Sequence, residues 1–493
     1  MMNDAQSKNK MAFTSAIGNP NLIAKLQGAR IGIWTGEGVS QSGLLLIEAL
    51  GEVLGRLWPV VDVEGSYSDL FITTADRAAR SGMQTHYYQK KWEPPYDFIL
   101  SIGTDFPSGN GPGLRIGAAG WTAMAGSEAY VGEEDNPVGP AAAAAVAAIE
   151  VFKAIFAVEL GDRIIPLPSE FRWNLWTYGN CDFSPGVRSL NFDDLHVFGV
   201  GAVTHSMLWL LERWPSEVSG SIHLIDHDNY DHSNGQRYVG MVAEDDKVQK
   251  TDSVAAKLQS RHINLSIQKH HEDMNRFFQN KRPDCNVRLA VVGVDSTEHR
   301  RHLALKLPLR VVNMWTDGDR VGAARFGFSD DWPCLFCAYP ENTKVELDET
   351  GQISRETGLP AAKVRELLFS GAGLNPDEVR RICDSRQIDF NLDMIGKPLR
   401  SIRGNLCATG RIPVGEGNKE VDVPFVFSSL LSGIGGFVEL LHEIWGSSSD
   451  PYHWQLRIFA YPAPGNQTTR KADKACYLCS DKGVIDILKQ KYS

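Results

Sequence analysis

Four of the eight cysteines in this chain of 493 residues stand in two C-x-x-C pairs, Cys334 with Cys337 and Cys476 with Cys479. Four thiolates in that pattern make a closed tetrahedral site for Zn²⁺. With 138 residues between Cys337 and Cys476, the site is a clamp tying a C-terminal tail to the core, and it leaves no open coordination position for catalysis. A redox disulfide and unrelated buried thiols are the alternatives. Of the other cysteines, Cys407 in "RGNLCATGR" has Arg403 and Arg411 close in sequence. Nearby cations lower a thiol pKa and raise its thiolate fraction. Cys407 is therefore the first candidate nucleophile and Cys383 the second, against the default of an inert buried thiol.

A second constellation begins at residues 196–215, "HVFGVGAVTHSMLWLLERWP", which reads as strand, glycine turn and helix. Gly199 and Gly201 let the backbone turn tightly and approach a phosphate, and the helix starting near Ala202 points free N–H groups at it. Thr204 stands where a third glycine is usual. The strand "SIHLID" then ends in Asp226, a carboxylate suited to ribose hydroxyls. To this point NAD and ATP fit equally.

The next run, "DHDNYDHSNGQRYVGMVAEDDKVQK", decides between them. It supplies Asn234, Arg237 and Lys250, more phosphate-directed donors than a nicotinamide site uses. A triphosphate uses them, because charge must be neutralised as pyrophosphate leaves. Read singly, Lys250 is a solvated lysine and Arg237 a surface ion-pair partner. Asp295 ends the strand "VRLAVVGVD", where a lone carboxylate suits Mg²⁺ or caps the following "STEHRRHLALKL".

The elements that must position these residues follow one plan used twice. "ARIGIWTGEGVSQSGLLLIEALGEVLGRL" and "YDFILSIG" in the first half parallel "LHVFGVGAVTHSMLWLLERW", "GSIHLID" and "VRLAVVGVD" in the second. Continuous apolar runs alternating with helical stretches predict α/β architecture: two Rossmann-like doubly wound domains. The first half lacks the carboxylate-rich strand end followed by Asn, Arg and Lys and reads as a degenerate copy. The expected organisation is an inactive domain at 1–165, a linker at 166–194, an active domain at 195–340, a small helical insertion at 341–405 and the remainder of the active domain at 406–493. Pro376 starts an insertion helix, with Asn375 as its N-cap. The alanine-heavy "AAAAAVAAIEVFKAIFAV" reads as a buried helix rather than a membrane span. A net charge of −10 without a basic stripe argues against nucleic acid. Without a signal peptide, the cysteine usage places the chain in a reducing, cytoplasmic setting.

Taken together, Gly199, Gly201, Asp226, Asp228, Asn234, Arg237, Lys250, Asp295 and the paired C-x-x-C motifs resemble the ubiquitin-activating superfamily, which includes the ThiF/MoeB-type adenylyltransferases. The run "DHDNYDHSNGQR" is similar to that family's Asp-x-Asp…Ser-Asn-x-x-Arg signature. Cys407 falls in a stretch similar to its Cys-x-x-Gly crossover segment. The resemblance implies ATP and Mg²⁺ at the glycine turn, and adenylation of the C-terminal carboxylate of a ubiquitin-like protein. It further implies a thioester on Cys407 and transfer to a conjugating enzyme, as in bacterial ubiquitin-like conjugation systems associated with phage defence. It leaves homodimerisation open. A sulfur-carrier adenylyltransferase, a NAD-dependent oxidoreductase and a non-catalytic scaffold are the competing readings.

Overall fold

Strands that read as continuous apolar runs form the parallel centre of each sheet, because helices on both faces remove them from water. The computed structural model describes residues 23–38, 40–82, 86–105, 111–180, 183, 185–280, 285–328, 332–340, 353, 354, 357–370, 372–386, 390, 392–397, 399, 425–446, 452–462, 467–469, 471–474 and 476–492. The first sheet holds β1 (Ile31–Thr35), β2 (Val60–Glu64), β3 (Tyr87–Lys90), β4 (Phe98–Ile102), β5 (Gly113–Ala119), β6 (Thr122–Gly126) and β7 (Glu170–Asn174). The second holds β8 (Leu190–Phe198), β9 (Val218–Ile225), β10 (Leu265–His270), β11 (Leu289–Val292), β12 (Arg310–Asp317), β13 (Arg320–Gly327), β14 (Tyr452–Arg457) and β15 (Gln467–Thr469).

Their spatial orders are β3-β2-β1-β4-β5-β6-β7 and β10-β9-β8-β11-β12-β13-β14-β15. Counted from the start of each half, these are one order with a strand added at the end of the second. In each sheet the first five strands run parallel and the rest antiparallel. The doubly wound duplication is thus present, and each copy is extended by antiparallel strands that the apolar runs did not announce. One of them, β7, lies inside the stretch read as a linker.

The helices follow from local signals. In α1 (Gln41–Leu54), Ser40 caps the N-terminus by accepting from the Gly43 N–H at 3.1 Å. After α2 (Ser68–Ser81) comes α3 (Val138–Ile155), whose first turn contains Pro140, a position where no intrahelical donor is lost. Among the described residues α3 alone is long and apolar enough to cross a membrane, and 83 % of that stretch is buried inside the protein. The second half contributes α4 (Ala202–Glu212), α5 (Lys250–Arg261), α6 (Met274–Asn280) and α7 (Thr297–Leu305).

Residues Pro340–Val421 form a separate compact unit. Its helices α8 (Ala361–Ser370) and α9 (Pro376–Arg386) enclose a small core that includes Val364, Leu367, Val379 and Ile382. Asn375 caps α9 as its spacing predicts: Asn375 Oδ1 accepts from Glu378 N at 2.9 Å, and Glu378 Oε2 accepts from Asn375 N at 2.8 Å. Cys383 is buried in this core at 2 % exposure, the position of a packing thiol.

The closing helix α10 (Val426–Trp445) joins the halves. Phe152 of α3 stacks near Phe425, Phe427 and Phe459, with centroids 5.0, 5.9 and 5.9 Å away. Trp121 meets Trp176, Trp214 and Trp445 at 5.0, 6.1 and 6.2 Å. The helix approaches so closely because it presents glycines. A Cβ at Gly433 would lie 2.5 Å from Ser206 Cβ and 2.7 Å from the Val203 carbonyl of α4. Gly433→Ala gains roughly 1 kcal/mol of helix propensity but overpacks this crossing, at a cost of about 1–3 kcal/mol. A net loss of thermal stability in calorimetry is expected; an unchanged or raised Tm would show that the crossing yields.

Candidate functional site

The second-half glycine turn is held by one carboxylate. Asp226, at the end of β9, accepts from Val200 N at 2.7 Å through Oδ2 and from Asp228 N at 2.8 Å through Oδ1. Asp228 Oδ2 in turn accepts from Lys250 Nζ at 2.8 Å. The glycine turn, both aspartates and the lysine therefore form one continuous bonded chain. Lys250 is 6 % exposed. Burial disfavours its charge, but Tyr238, Asp226 and Asp228 outweigh that and raise its pKa.

Gly199 has φ +82°, a conformation open to glycine at little cost. At its other side, the first-turn N–H groups of α4 meet no capping side chain at Gly201, as an anion site requires. The Thr204 substitution has a structural answer. A Cβ on Gly293 would lie 2.0 Å from Thr204 Oγ1. The close helix–strand approach usually granted by a third helical glycine is here granted by Gly293, which follows β11.

Asn234 ends a short 3₁₀ turn and binds its own loop, accepting from Asp231 N at 3.2 Å. Arg237 and Lys250 flank one aromatic ring: their charged groups lie 5.8 and 5.7 Å from the Tyr238 centroid. Among the described residues, Arg237 makes no ion pair. Asp295 is exposed beyond β11, two residues after Gly293, whose N donates to Phe198 O at 3.0 Å. The cap of α7 is Ser296, whose Oγ accepts from His299 N at 3.1 Å. The capping role is thus filled by a neighbour. Cys407, Arg403 and Arg411 lie outside the described residues.

The four paired cysteines converge. Sγ separations are 3.8 Å for Cys334–Cys337, 3.6 Å for Cys334–Cys476 and 3.4 Å for Cys337–Cys479. Zinc with Zn–S bonds of about 2.3 Å sits in a sulfur tetrahedron with edges of about 3.8 Å, whereas a disulfide needs about 2.05 Å. The set fits zinc, and it packs among Phe336, Leu335 and Leu478.

Sequence reasoning missed the residues that hold the 230–241 loop. His205 of α4 places Nδ1 2.9 Å from the Val239 carbonyl and Nε2 against the Tyr230 hydroxyl. Burial, then the Lys257 ammonium, push its imidazole down to about 3, so it is neutral.

The other support comes from the first half. Arg56, 1 % exposed, donates through Nη1 to Gly235 O at 2.5 Å and Ala78 O at 3.1 Å, and to Ser81 Oγ. Its Nη2 donates to Glu52 Oε2 at 2.8 Å and Met241 O at 2.9 Å. Glu52 also accepts from Gly240 N at 2.8 Å. Burial would raise the Glu52 carboxyl, but Arg56, Arg77, the Gly240 N–H and Arg213 together hold it at about 2. A basic residue following a helix offers no sequence signal for such a role.

No protein-family model matches the chain. The uncharacterized protein y4jF of Sinorhizobium fredii (strain NBRC 101917 / NGR234) is 29 % identical over 467 residues, covering 91 % of this chain and 88 % of that protein. Among solved structures, E. coli MccB with ATP gives a TM-score of 0.36 at 10 % identity, covering 75 % of this chain and 98 % of that one. E. coli MccB with MccA gives 0.34 at 11 %, with the same coverage. The crystal structure of PaaA gives 0.22 at 18 %, covering 27 % of this chain and 40 % of that one.

Two outcomes follow from the loop supports. Arg56→Met takes the donor from the buried Gly235 and Met241 carbonyls and one cation from Glu52, which keeps Arg77 at 2.9 Å, and costs about 3–5 kcal/mol in denaturant unfolding, with faster amide exchange at 235–241. Adding Glu52→Gln costs less than Glu52→Gln does alone, because the pair is already broken. Full additivity of the two would show that they do not act as a pair. His205 takes up a proton in the unfolded chain below its ordinary value of 6.5 but stays neutral in the fold down to about 3. Its share of stability is complete above pH 6.5 and is lost as pH falls toward 3, by up to about 1.4 kcal/mol per unit. His205→Gln shallows the stability–pH slope between pH 6.5 and 5; a slope equal to wild type would exclude this role.

Proposed function

We propose that the second half binds ATP with Mg²⁺ at the 199–201 turn and adenylates the C-terminal carboxylate of a ubiquitin-like protein. The observation that carries this reading is the bonded chain Val200–Asp226–Asp228–Lys250, with Arg237 and Lys250 on one ring beside it. Such an arrangement gathers two cations beside a helix N-terminus, where phosphates are favoured. Asp226 already spends one lone pair of each oxygen on backbone, and its remaining lone pairs are available to ribose hydroxyls.

In the proposed reaction a carboxylate oxygen attacks the α-phosphorus. The bond from that phosphorus to the bridging oxygen breaks, and pyrophosphate leaves with the electron pair. Arg237 and Lys250 stabilise charge on the transferring group, with Asn234 assisting. Asp228 releases Lys250 to the phosphates. Asp295 is the candidate ligand for Mg²⁺, which supplies charge neutralisation on the phosphate oxygens. The thiolate of Cys407 then attacks the acyl carbon, AMP leaves, and a thioester forms that a conjugating enzyme's thiol can take over.

Incubation with labelled pyrophosphate, Mg²⁺, ATP and purified β-grasp candidates is the direct test. Exchange into ATP is expected, falling about 10²–10³-fold in Lys250→Ala or Arg237→Ala. Cys407→Ala keeps exchange and loses a thiol-reducible adduct on non-reducing gels. Absence of ATP binding by calorimetry with Mg²⁺ present would end the reading, and exchange without any adduct would leave the adenylation step but exclude the thioester.

A further inference from the structure

A cluster of metal-ligand type lies on a part of the second sheet that the nucleotide reading does not use. Asp194 and His196 are two residues apart on β8, the spacing that puts side chains on one face of a strand. A β-bulge between Phe192 and Leu195 contains Asp194, and bulges re-aim side chains. On the neighbouring parallel strand, His223 stands directly opposite His196 in register. One carboxylate oxygen of Asp194 lies 2.9 Å from His223 Nε2 and the other 3.8 Å from His196 Nδ1. All three donor groups lie within 4.8 Å of one another.

We infer that Asp194, His196 and His223 form a binding site for a divalent ion of the zinc class, distinct from the four-cysteine cluster. Two imidazoles and a carboxylate are a donor set for Zn²⁺, Co²⁺ or Ni²⁺. A tetrahedral ion with bonds of about 2.0–2.1 Å separates its ligand atoms by about 3.4 Å. The observed separations, 2.9 Å from His223 Nε2 to Asp194 Oδ1 and 3.8 Å from His196 Nδ1 to Asp194 Oδ2, lie either side of that value, and the carboxylate must turn one oxygen to the ion. The imidazoles of His196 and His223 lie parallel, 4.4 Å apart, and must turn about their Cβ–Cγ bonds to aim both lone pairs at one ion. Three protein ligands leave a fourth position for water.

The surroundings are those of a supported ligand set. His223 Nδ1, the nitrogen away from Asp194, lies 3.0 Å from His270 Nε2, and His270 Nδ1 lies 3.9 Å from Glu272. A metal-ligating histidine usually has its second nitrogen held in this way, which fixes its tautomer. Phe277 of α6 packs edge-on against His196 and His270 at 5.8 and 4.9 Å. Asp194 remains 39 % exposed at its side chain and provides the route in.

The test is zinc content of the full-length chain after Zn²⁺ loading and gel filtration, read by mass spectrometry, with Co²⁺ substitution to identify ligands. Wild type should carry an equivalent beyond any thiolate-bound one, and its Co²⁺ form should show a component without thiolate charge transfer. Asp194→Asn, at a partly exposed position that tolerates it, and His223→Gln should each lose that equivalent and keep the rest. His270→Leu should weaken it about 10–100-fold, and His86→Asn in the first half should leave it unchanged. Equal zinc content in wild type, Asp194→Asn and His223→Gln overturns the proposal. So does a thiolate band on the ion that the variants lose.

Discussion

A guanidinium in a place with no water fixes much else in this protein. Arg56 is buried between the two halves, and its Nη1 and Nη2 donors must be met by oxygen. Glu52 supplies a carboxylate, and Gly235 and Met241 supply carbonyls from the loop that carries Asn234 and Arg237. The loop takes its shape partly because the first half demands those carbonyls. Along the same seam, Arg213 at the end of α4 grips Glu48 of α1 at 2.6 and 3.1 Å. The buried cation and the carboxylates of α1 thus tie together two halves that belong to one compact unit.

This gives the first half a physical task in support of the second. It repeats the strand order of the second half, yet what it presents across the seam is α1 and α2, not a carboxylate chain like Val200–Asp226–Asp228–Lys250. The second copy shows a matching economy of means: Gly293 relieves Thr204, Ser296 relieves Asp295 of capping, and His205 stays neutral to bind Val239 and Tyr230. Each substitution away from the simplest pattern is met by a neighbour that restores the geometry.

Long-range closure relies on similarly desolvated contacts. Glu439 of α10 accepts from the Tyr178 hydroxyl and from Arg325 Nε, both at 2.7 Å. Burial pushes its carboxyl up against the pull of Arg325 and the Tyr178 hydrogen bond. The four cysteines do the same for the C-terminal segment, drawing residues far apart in the chain into one cluster.

What the amino-acid order determined by itself was whatever depends on near neighbours. Apolar runs gave the central parallel strands β1, β4, β8, β9 and β11, glycine spacing gave the turn at 199–201, Asn375 and Pro376 gave a helix start, and C-x-x-C spacing gave half of the four-cysteine cluster twice over. Those signals are local because backbone conformation and capping are settled within a few residues. Tertiary structure decided which charges share a desolvated space: Arg56 with Gly235, Lys250 with Asp228, Asp194 with His223. It also added the antiparallel strands, β7 among them, whose pairing depends on an edge already formed. No local pattern encodes these, because desolvation and cross-strand register exist only once distant segments have closed over one another.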